Sequence, residues 1–71
     1  MRLHYDPETD SLYIDLNARP AADVREIADG LVVDFDEAGR PVGIDIQQAS
    51  RNLDLATLET HALPAVEVKP G

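Results

Sequence analysis

The pattern of apolar and polar positions along the chain is mainly an alternation with a period of two. Apolar side chains alternate with polar or small ones in residues 12–16, 31–35 and 42–46, and more weakly in residues 3–5 and 24–28. Alternation of this kind is typical of strands that bury one face. We therefore predict an α+β domain, an antiparallel β-meander of four to five strands with one short C-terminal helix.

The two central strands, residues 31–35 and 42–46, flank the turn sequence DEAGR. Gly39 is the residue there that adopts a positive φ without steric cost, which favours a three-residue loop ending in a left-handed glycine. That loop alone would oppose apolar residues to polar ones, so we predict a bulge at Val42 and Gly43 that corrects the register. The alternative is a four-residue loop without a bulge. The pairs predicted with the bulge are Val33 with Ile44 and Leu31 with Ile46.

Asp29 and Gly30 join residues 24–28 to the strand that begins at Leu31. Asp-Gly between two extended runs is a strong signal of a tight hairpin turn. A regular register from this turn opposes Ala28 to Leu31, Ile27 to Val32, Glu26 to Val33, Arg25 to Asp34 and Val24 to Phe35. It predicts a favourable cross-strand ion pair between Arg25 and Asp34.

The same register places Ile27 and Val32 on the second face of the sheet, away from the main apolar side chains. Tyr13 alternates with Leu12 and Ile14, so it is expected on that second face as well. We predict an apolar patch there, which needs cover from the C-terminal segment or from another subunit.

The remaining segments are turns, a loop and a short helix. Residues 6–10, with Pro7 after Asp6, are typical of a type I turn, and residues 17–23 are predicted to be a loop. Asp54 is a predicted N-cap that opens a helix over residues 55–59. Residues 58–63 also fit a strand, and Val66, Glu67 and Val68 fit a short edge strand.

Length and charge limit what the chain can do. At 71 residues it is one domain, 1–71, whose small core and lack of cysteine favour a homo-oligomer, most simply a dimer. The net charge of -8 opposes binding to nucleic acid or to an anionic membrane surface and favours a basic protein partner. The N-terminus lacks the apolar region of a signal peptide, so we expect a cytoplasmic protein.

The candidate chemistry is sparse. Asp34, Asp36, Gly39 and Asp45 match positions 1, 3, 6 and 12 of a calcium loop, but Ala38 stands at position 5 and the flanks have strand periodicity. We therefore interpret this segment as a hairpin turn rather than as a calcium-binding loop. His4 and His61 are interpreted as surface residues, and Ser50 as a backbone cap, since no nucleophile is paired with a base. We therefore predict no catalytic residue, no metal site and no cofactor.

Three ordered blocks of the sequence resemble a known family. They are YDPETDSLYI at residues 5–14, GLVVDFDEAG at 30–39, and VGIDI followed by Ala49 and Ser50. In these blocks the chain is similar to the YuzE-like family of small bacterial proteins, a domain of unknown function, over about residues 1–53. It departs from the family in having Asp45 where Glu is usual and Phe35 where Tyr is common. The resemblance implies a bacterial source and a compact sheet, and, through relatives suspected to lie beside toxin-like partners, an antitoxin-like role.

The first functional hypothesis is therefore a non-enzymatic protein-interaction module, and the second is a metal- or small-ligand-binding domain that uses carboxylates of the turns. If the first turn, residues 6–10, and the fourth turn, residues 36–40, meet at one edge of the sheet, their carboxylates form one negative rim that attracts a basic partner. The predicted interaction surface consists of Asp6, Glu8, Asp10, Tyr13, Ile27, Val32, Asp36 and Glu37. The predicted structural turn residues are Asp29, Gly30, Gly39 and Gly43.

Overall fold

A computed structural model describes residues 1–64, 67, 69 and 70 of the chain. Its elements in chain order are β1 (Arg2–Asp6), β2 (Ser11–Asp15), β3 (Asp23–Ala28), β4 (Leu31–Phe35), β5 (Pro41–Ile46) and α1 (Ala49–Asn52). The predicted α+β class, an antiparallel sheet with one short helix after it, is confirmed.

The five strands form one sheet in the order β1-β2-β5-β4-β3, and all neighbouring strands are antiparallel. β1 and β2 form one hairpin, while β3, β4 and β5 follow one another as a meander. After β2 the loop carries the chain to the far edge of the sheet, and β5 returns to pair with β2. This non-local pairing joins the two halves of the sheet.

The central hairpin has the predicted turn. Gly39 has a φ of +79°, and the backbone N–H of Asp36 donates to the carbonyl of Arg40 at 2.8 Å. Val33 opposes Ile44 and Leu31 opposes Ile46, as the bulged register requires. The register shifts beside Val42, so that Asp34 opposes Gly43 and Phe35 opposes Pro41. The bulge is thus confirmed at this point of β5, with Val42 as the extra residue and Gly43 still in register.

The regular register predicted between β3 and β4 is wrong after its first pair. Ala28 opposes Leu31 as predicted, but a bulge follows and Glu26 opposes Val32. Ile27 is the extra residue, so the predicted pair of Ile27 with Val32 does not form. The Asp-Gly turn fixes only the residue pair next to it. A bulge on an edge strand increases the local twist and makes that edge less able to pair with another strand.

The predicted pairing of Arg25 with Asp34 is also wrong, because the bulge moves Arg25 opposite Val33. Its guanidinium carbon lies 4.2 Å from the centroid of the Phe35 ring, and its Nε lies 3.6 Å from Oδ2 of Asp23. The positive group thus gains a stacking contact and a carboxylate on its own strand.

Directly opposed residues point to the same face of a sheet, so the register assigns every strand residue to one of two faces. We call one the apolar face; it consists of Leu3, Tyr5, Leu12, Ile14, Leu31, Val33, Phe35, Ile44 and Ile46. We call the other the acidic face; it includes Tyr13, Asp15, Val24, Glu26, Val32, Asp34, Gly43 and Asp45.

The core of this sheet is thin. Among the described residues, the buried hydrophobic side chains are Leu12, Val42 and Ala49. The other central residues of the apolar face are only partly buried. Each pair of elements in extensive contact consists of two neighbouring strands. The described part of the chain is therefore close to a single layer, with little apolar surface covered by a second one.

The predicted helix at residues 55–59 is wrong in position. The helix is α1, and Asp54 instead accepts the backbone N–H of Ala56 at 3.1 Å in a local turn. Residues 58–63 form neither helix nor strand. The edge strand predicted at residues 66–68 lies largely outside the described residues. No helix in the described part of the chain is long and apolar enough to cross a membrane.

Candidate functional site

The acidic face is organised by the side chain of Tyr13. Its hydroxyl donates a hydrogen bond to Oδ2 of Asp34 at 2.8 Å, although β5 lies between the two strands. The phenol reaches β4 because Gly43 has no side chain: a Cβ at that position would lie 2.6 Å from Cζ of Tyr13. Gly43 is thus required for a close approach of the ring, in addition to its place beside the bulge.

Three carboxylates act on this phenol. The hydrogen bond to Asp34, then desolvation, then the charges of Asp34, Asp15 and Asp45 together raise the pKa of Tyr13 to about 12. A negative charge on the phenol is disfavoured because these carboxylates surround it. The face therefore carries a negative potential that is concentrated around Tyr13.

Little positive charge compensates this potential. The Nε of Arg2 lies 4.0 Å from Asp15, at the outer limit of an ion pair, and the Arg2 side chain is 85% exposed. In the described part of the chain, no Lys, Arg or His lies within ion-pair distance of Asp34, Asp45 or Glu26. Even with the charge of Arg2 counted, the four carboxylates of Asp15, Asp34, Asp45 and Glu26 leave the face acidic.

The carboxylate of Asp10, in the first turn, has a structural role. Its Oδ1 accepts the Tyr5 hydroxyl at 2.8 Å and the backbone N–H of Ser50 at 3.0 Å, while Oδ2 accepts the Ser50 hydroxyl at 2.7 Å. Its backbone carbonyl accepts the N–H of Ala49 at 2.8 Å. Asp10 thereby holds the start of α1, 40 residues away in sequence, against the first turn.

These contacts also shift two pKa values. The hydrogen bonds from Ser50 and then from Tyr5 lower the pKa of Asp10, because they stabilise its ionised form. The same bond to Asp10 raises the pKa of Tyr5. Asp10 keeps this arrangement with a φ of 54°, a conformation that Asp tolerates better than most residues.

The carboxylate of Asp36, in the fourth turn, also has internal partners. It accepts the backbone N–H groups of Ala38 and Arg40 at 3.0 and 2.9 Å. Its Oδ2 lies 3.1 Å from Nε of Arg19 and 3.2 Å from Nε of Arg40. The backbone bond from Arg40 is the main cause of a lowered pKa of Asp36, with the charges of Arg40 and Arg19 adding to it.

Arg19 ties the loop between β2 and β3 to this turn. An open hollow of about 390 Å³ lies between loop and turn, lined by Arg19, Pro20, Ala21, Ala22, Asp36, Glu37, Ala38 and Arg40. The Asp36 side chain is only 7% exposed, so it is not a free carboxylate of the surface. Glu37, the next residue, is exposed.

The condition for a single negative rim is not met, because the two acidic turns lie at opposite ends of the sheet. Leu12, next to the first turn, opposes Ile46, whereas Asp15 opposes Gly43, near the fourth turn. Antiparallel pairing of β2 with β5 therefore separates Asp6, Glu8 and Asp10 from Asp36 and Glu37. In the first turn, Asp6 accepts the backbone N–H of Glu8 at 3.0 Å.

The other predicted surface residues lie as follows. Tyr13 and Val32 share the acidic face, since both oppose Asp45. Ile27 is the extra residue of the β3 bulge and is 55% exposed at the edge of the sheet. Sequence reasoning missed the group of carboxylates around Tyr13. Their alternation with apolar residues was visible, but the pairing of β2 with β5 that brings them together was not.

The described residues form no other group of side chains that is arranged as a recognisable metal or catalytic site. No group of three or more His, Cys, Asp or Glu among them is arranged to hold a metal ion. His61 lies 3.8 Å from Glu59 in an exposed pair, and the Ser50 hydroxyl donates to Asp10. The arrangement of the acidic face is suited to binding a positively charged group.

Comparison with known proteins gives a family and no more. The family model described as "Protein of unknown function (DUF2283)" matches residues 2–50, which include all five strands and the start of α1. No curated protein and no solved structure matches the chain.

Proposed function

Since this chain belongs to the DUF2283 family, proteins of unknown function, we propose its role from its surface: it is a non-enzymatic protein-interaction module whose acidic face binds a basic segment of another protein. The observation that carries the proposal is the convergence of Asp15, Asp34 and Asp45 on Tyr13 with little compensating positive charge.

The position of these carboxylates supports the proposal. Asp15, Asp45 and Asp34 lie on three neighbouring strands, β2, β5 and β4, and Glu26 lies on the next strand, β3. Asp15 and Asp34 belong to one cross-strand row, and Asp45 and Glu26 belong to the next. Neighbouring strands are about 4.8 Å apart, so these carboxylates form a band whose length several Lys or Arg side chains of one segment can reach. Complementary charge accelerates encounter and sets orientation.

Apolar groups next to the carboxylates complete the surface. The Tyr13 ring is fixed by its bond to Asp34, and Val24 on β3, 60% exposed, opposes Asp34 on the same face. A rigid aromatic ring costs little entropy on binding and is common at the centre of interfaces. The aliphatic stems of Lys and Arg pack well on such groups.

Part of the proposal is more specific than membership of the family. An antitoxin-like role, in which the acidic chain binds a basic toxin-like protein, fits this face. We propose a cytoplasmic, bacterial setting as well, which rests on the resemblance to the YuzE-like family and on the N-terminal sequence rather than on the face. The alternative, a metal- or small-ligand site built from turn carboxylates, has less support, because Asp10 and Asp36 use their oxygens in internal hydrogen bonds.

The test uses a short oligoarginine peptide as the probe. Asp45→Asn combined with Glu26→Gln should weaken binding roughly tenfold or more, as expected when charges are removed at the contact itself. The matched control is Glu8→Gln combined with Glu37→Gln, which removes the same charge from exposed turns and should have a small effect. Calorimetric titration of each variant at two salt concentrations measures the difference.

Equal losses in the two double variants would mean that only the net charge matters, and would refute the acidic face as the binding surface. Capture of partners from cells of the source organism extends the test. A specific basic protein should bind the parent chain and the turn variant, and should be lost with the Asp45→Asn and Glu26→Gln variant. Retention of that protein by all three chains would also count against the proposal.

A further inference from the structure

We propose that the apolar face of the sheet is the interface between two copies of this chain, which pack face to face as a homodimer. This surface lies on the opposite side of the sheet from the acidic face, so the inference is independent of the proposed function. The sequence predicted self-association through the face that carries Tyr13, Ile27 and Val32. The register instead places the large apolar surface on the other side.

The apolar face is open in the described structure. Leu3 is 47% exposed and Tyr5 is 39% exposed, and the central side chains Ile14, Val33 and Ile44 are only partly buried. No described residue between 54 and 64 is buried, and none of them belongs to a helix or strand. The tail leucines Leu55, Leu58 and Leu63 are themselves exposed.

The total surface is too large for a compact monomer. The accessible area is 5825 Å², whereas a folded monomer of this mass is expected to have about 4,400 Å². The difference is about 1,400 Å², and both the partly exposed apolar face and the exposed residues of the tail, 54–64, contribute to it. A standard interface buries about 800 Å² per partner, so covering one face of the sheet would remove much of the excess.

The charge distribution selects a second copy as the occupant. The apolar face has one carboxylate at its β3 edge, Asp23, and that group is paired with Arg25. The net charge of -8 resides mainly on the acidic face and the turns. When two apolar faces meet, the two acidic faces point away from each other. Packed sheets are about 10 Å apart, and a Debye length of about 8 Å at physiological salt screens the remaining repulsion.

The thin core gives a second reason. Among the described residues only Leu12, Val42 and Ala49 are buried hydrophobic side chains, and a chain of this length has little stability to spare. The cover therefore has to be present whenever the chain folds. A second copy meets that requirement, because it is made together with the first and in equal amount. A face-to-face pair of twisted antiparallel sheets is also a common packing arrangement.

The first test is the sedimentation of the full chain at tens of micromolar. We expect a dimer. Ile44→Lys, which places a charge at the centre of the apolar face, should weaken dimerisation by roughly a hundredfold or more, because an unpaired charge at the centre of an interface is costly. The matched control is Val24→Lys on the acidic face, which should leave the dimer intact. Circular dichroism reports whether each variant keeps its sheet.

A second variant covers the case in which Ile44→Lys does not fold. Leu3→Lys lies at the edge strand, at a side chain that is already half exposed, and should weaken the dimer roughly tenfold while the sheet persists. Leu58→Lys in the tail should have no effect. A parent chain that sediments as a monomer would overturn the proposal, and so would a dimer sensitive to Val24→Lys but not to the apolar-face variants.

One outcome would identify a different occupant. If the parent is a monomer and Leu58→Lys lowers its melting temperature, the chain's own tail covers the face and the proposal is wrong. Peptide binding by the acidic face is read separately. Loss of the dimer in Leu3→Lys with unchanged oligoarginine affinity would show that the two surfaces act independently.

Discussion

The hydroxyl of Tyr13 on β2 reaches across β5 to donate to Asp34 on β4, over the backbone of Gly43. This contact links three strands of the sheet through one side chain. It also requires a glycine at the point of crossing and an acceptor on the far side. Two of the following predictions test this relationship directly.

The first prediction concerns the titration of Tyr13. Its pKa is raised to about 12, chiefly by the hydrogen bond to Asp34. We expect Asp34→Asn to lower the pKa of Tyr13 towards its ordinary value of about 10, because a neutral amide is a weaker hydrogen-bond acceptor than a carboxylate and carries no charge to oppose the phenolate. Ultraviolet absorbance titration in a Tyr5→Phe background measures Tyr13 alone. An unchanged titration in Asp34→Asn would contradict the assigned cause.

This shift also makes stability depend on alkaline pH. The folded pKa of Tyr13 lies above the unfolded value, so its contribution is fully present below about pH 10 and is lost as the pH rises through about 12. The free energy of unfolding should fall over that interval in the parent chain. The fall should be smaller in Tyr13→Phe, which has no proton to lose.

The second prediction concerns Gly43→Ala. The added Cβ would displace the phenol of Tyr13 and break its bond to Asp34, so we expect a loss of about 1–2 kcal/mol in the free energy of unfolding. In a Tyr13→Ala background the clash is absent, and the same change should be neutral or slightly stabilising, since alanine is less costly than glycine within a strand. Urea unfolding of the four chains gives the coupling energy. Additive effects would show that the contact is not coupled.

The third prediction concerns Gly39, whose φ is +79°. Gly39→Val should destabilise the fold by more than about 1 kcal/mol, because a β-branched residue fits this conformation poorly. No atom lies within 4 Å of the added Cβ, so the cost is one of backbone conformation rather than of a clash. Gly39→Asn is the matched control and should cost clearly less, because asparagine tolerates the left-handed region. Equal melting temperatures of the two variants would contradict this explanation.

The fourth prediction concerns Asp36, whose pKa is lowered chiefly by the backbone N–H of Arg40. A lowered folded pKa means that the contribution to stability is present above the unfolded value of about 3.9 and is lost as the pH falls through the folded value. Asp36→Asn should therefore lower the melting temperature at neutral pH, and the difference from the parent should shrink in strong acid.

Glu37→Gln is the control for this experiment, because Glu37 is exposed in the same turn. Its melting temperature should stay close to that of the parent chain throughout. A constant difference between Asp36→Asn and the parent from neutral pH to strong acid would mean that the ionised carboxylate is not the source of the effect.

The sequence by itself determined the features that depend on a few neighbouring residues. Alternation predicted four to five strands, of which the structure has five, and the turn sequences predicted the positive φ of Gly39 and the hairpin turn at Asp29 and Gly30. The bulged register of β4 and β5 was also predictable, because one slip would have opposed every apolar side chain to a polar one. These inferences succeeded because the residues involved are close in sequence and because steric restrictions on the backbone leave few conformations open to them.

Only the tertiary structure decided the features whose partners are distant in sequence. The pairing of β2 with β5 sets the two acidic turns at opposite ends and gathers the carboxylates around Tyr13. Asp10 fixes the start of the helix near Ser50, whereas the local pattern favoured Asp54. A carboxylate looks the same in a sequence whether it is solvated or held by a distant partner, because its environment is created only when the strands come together.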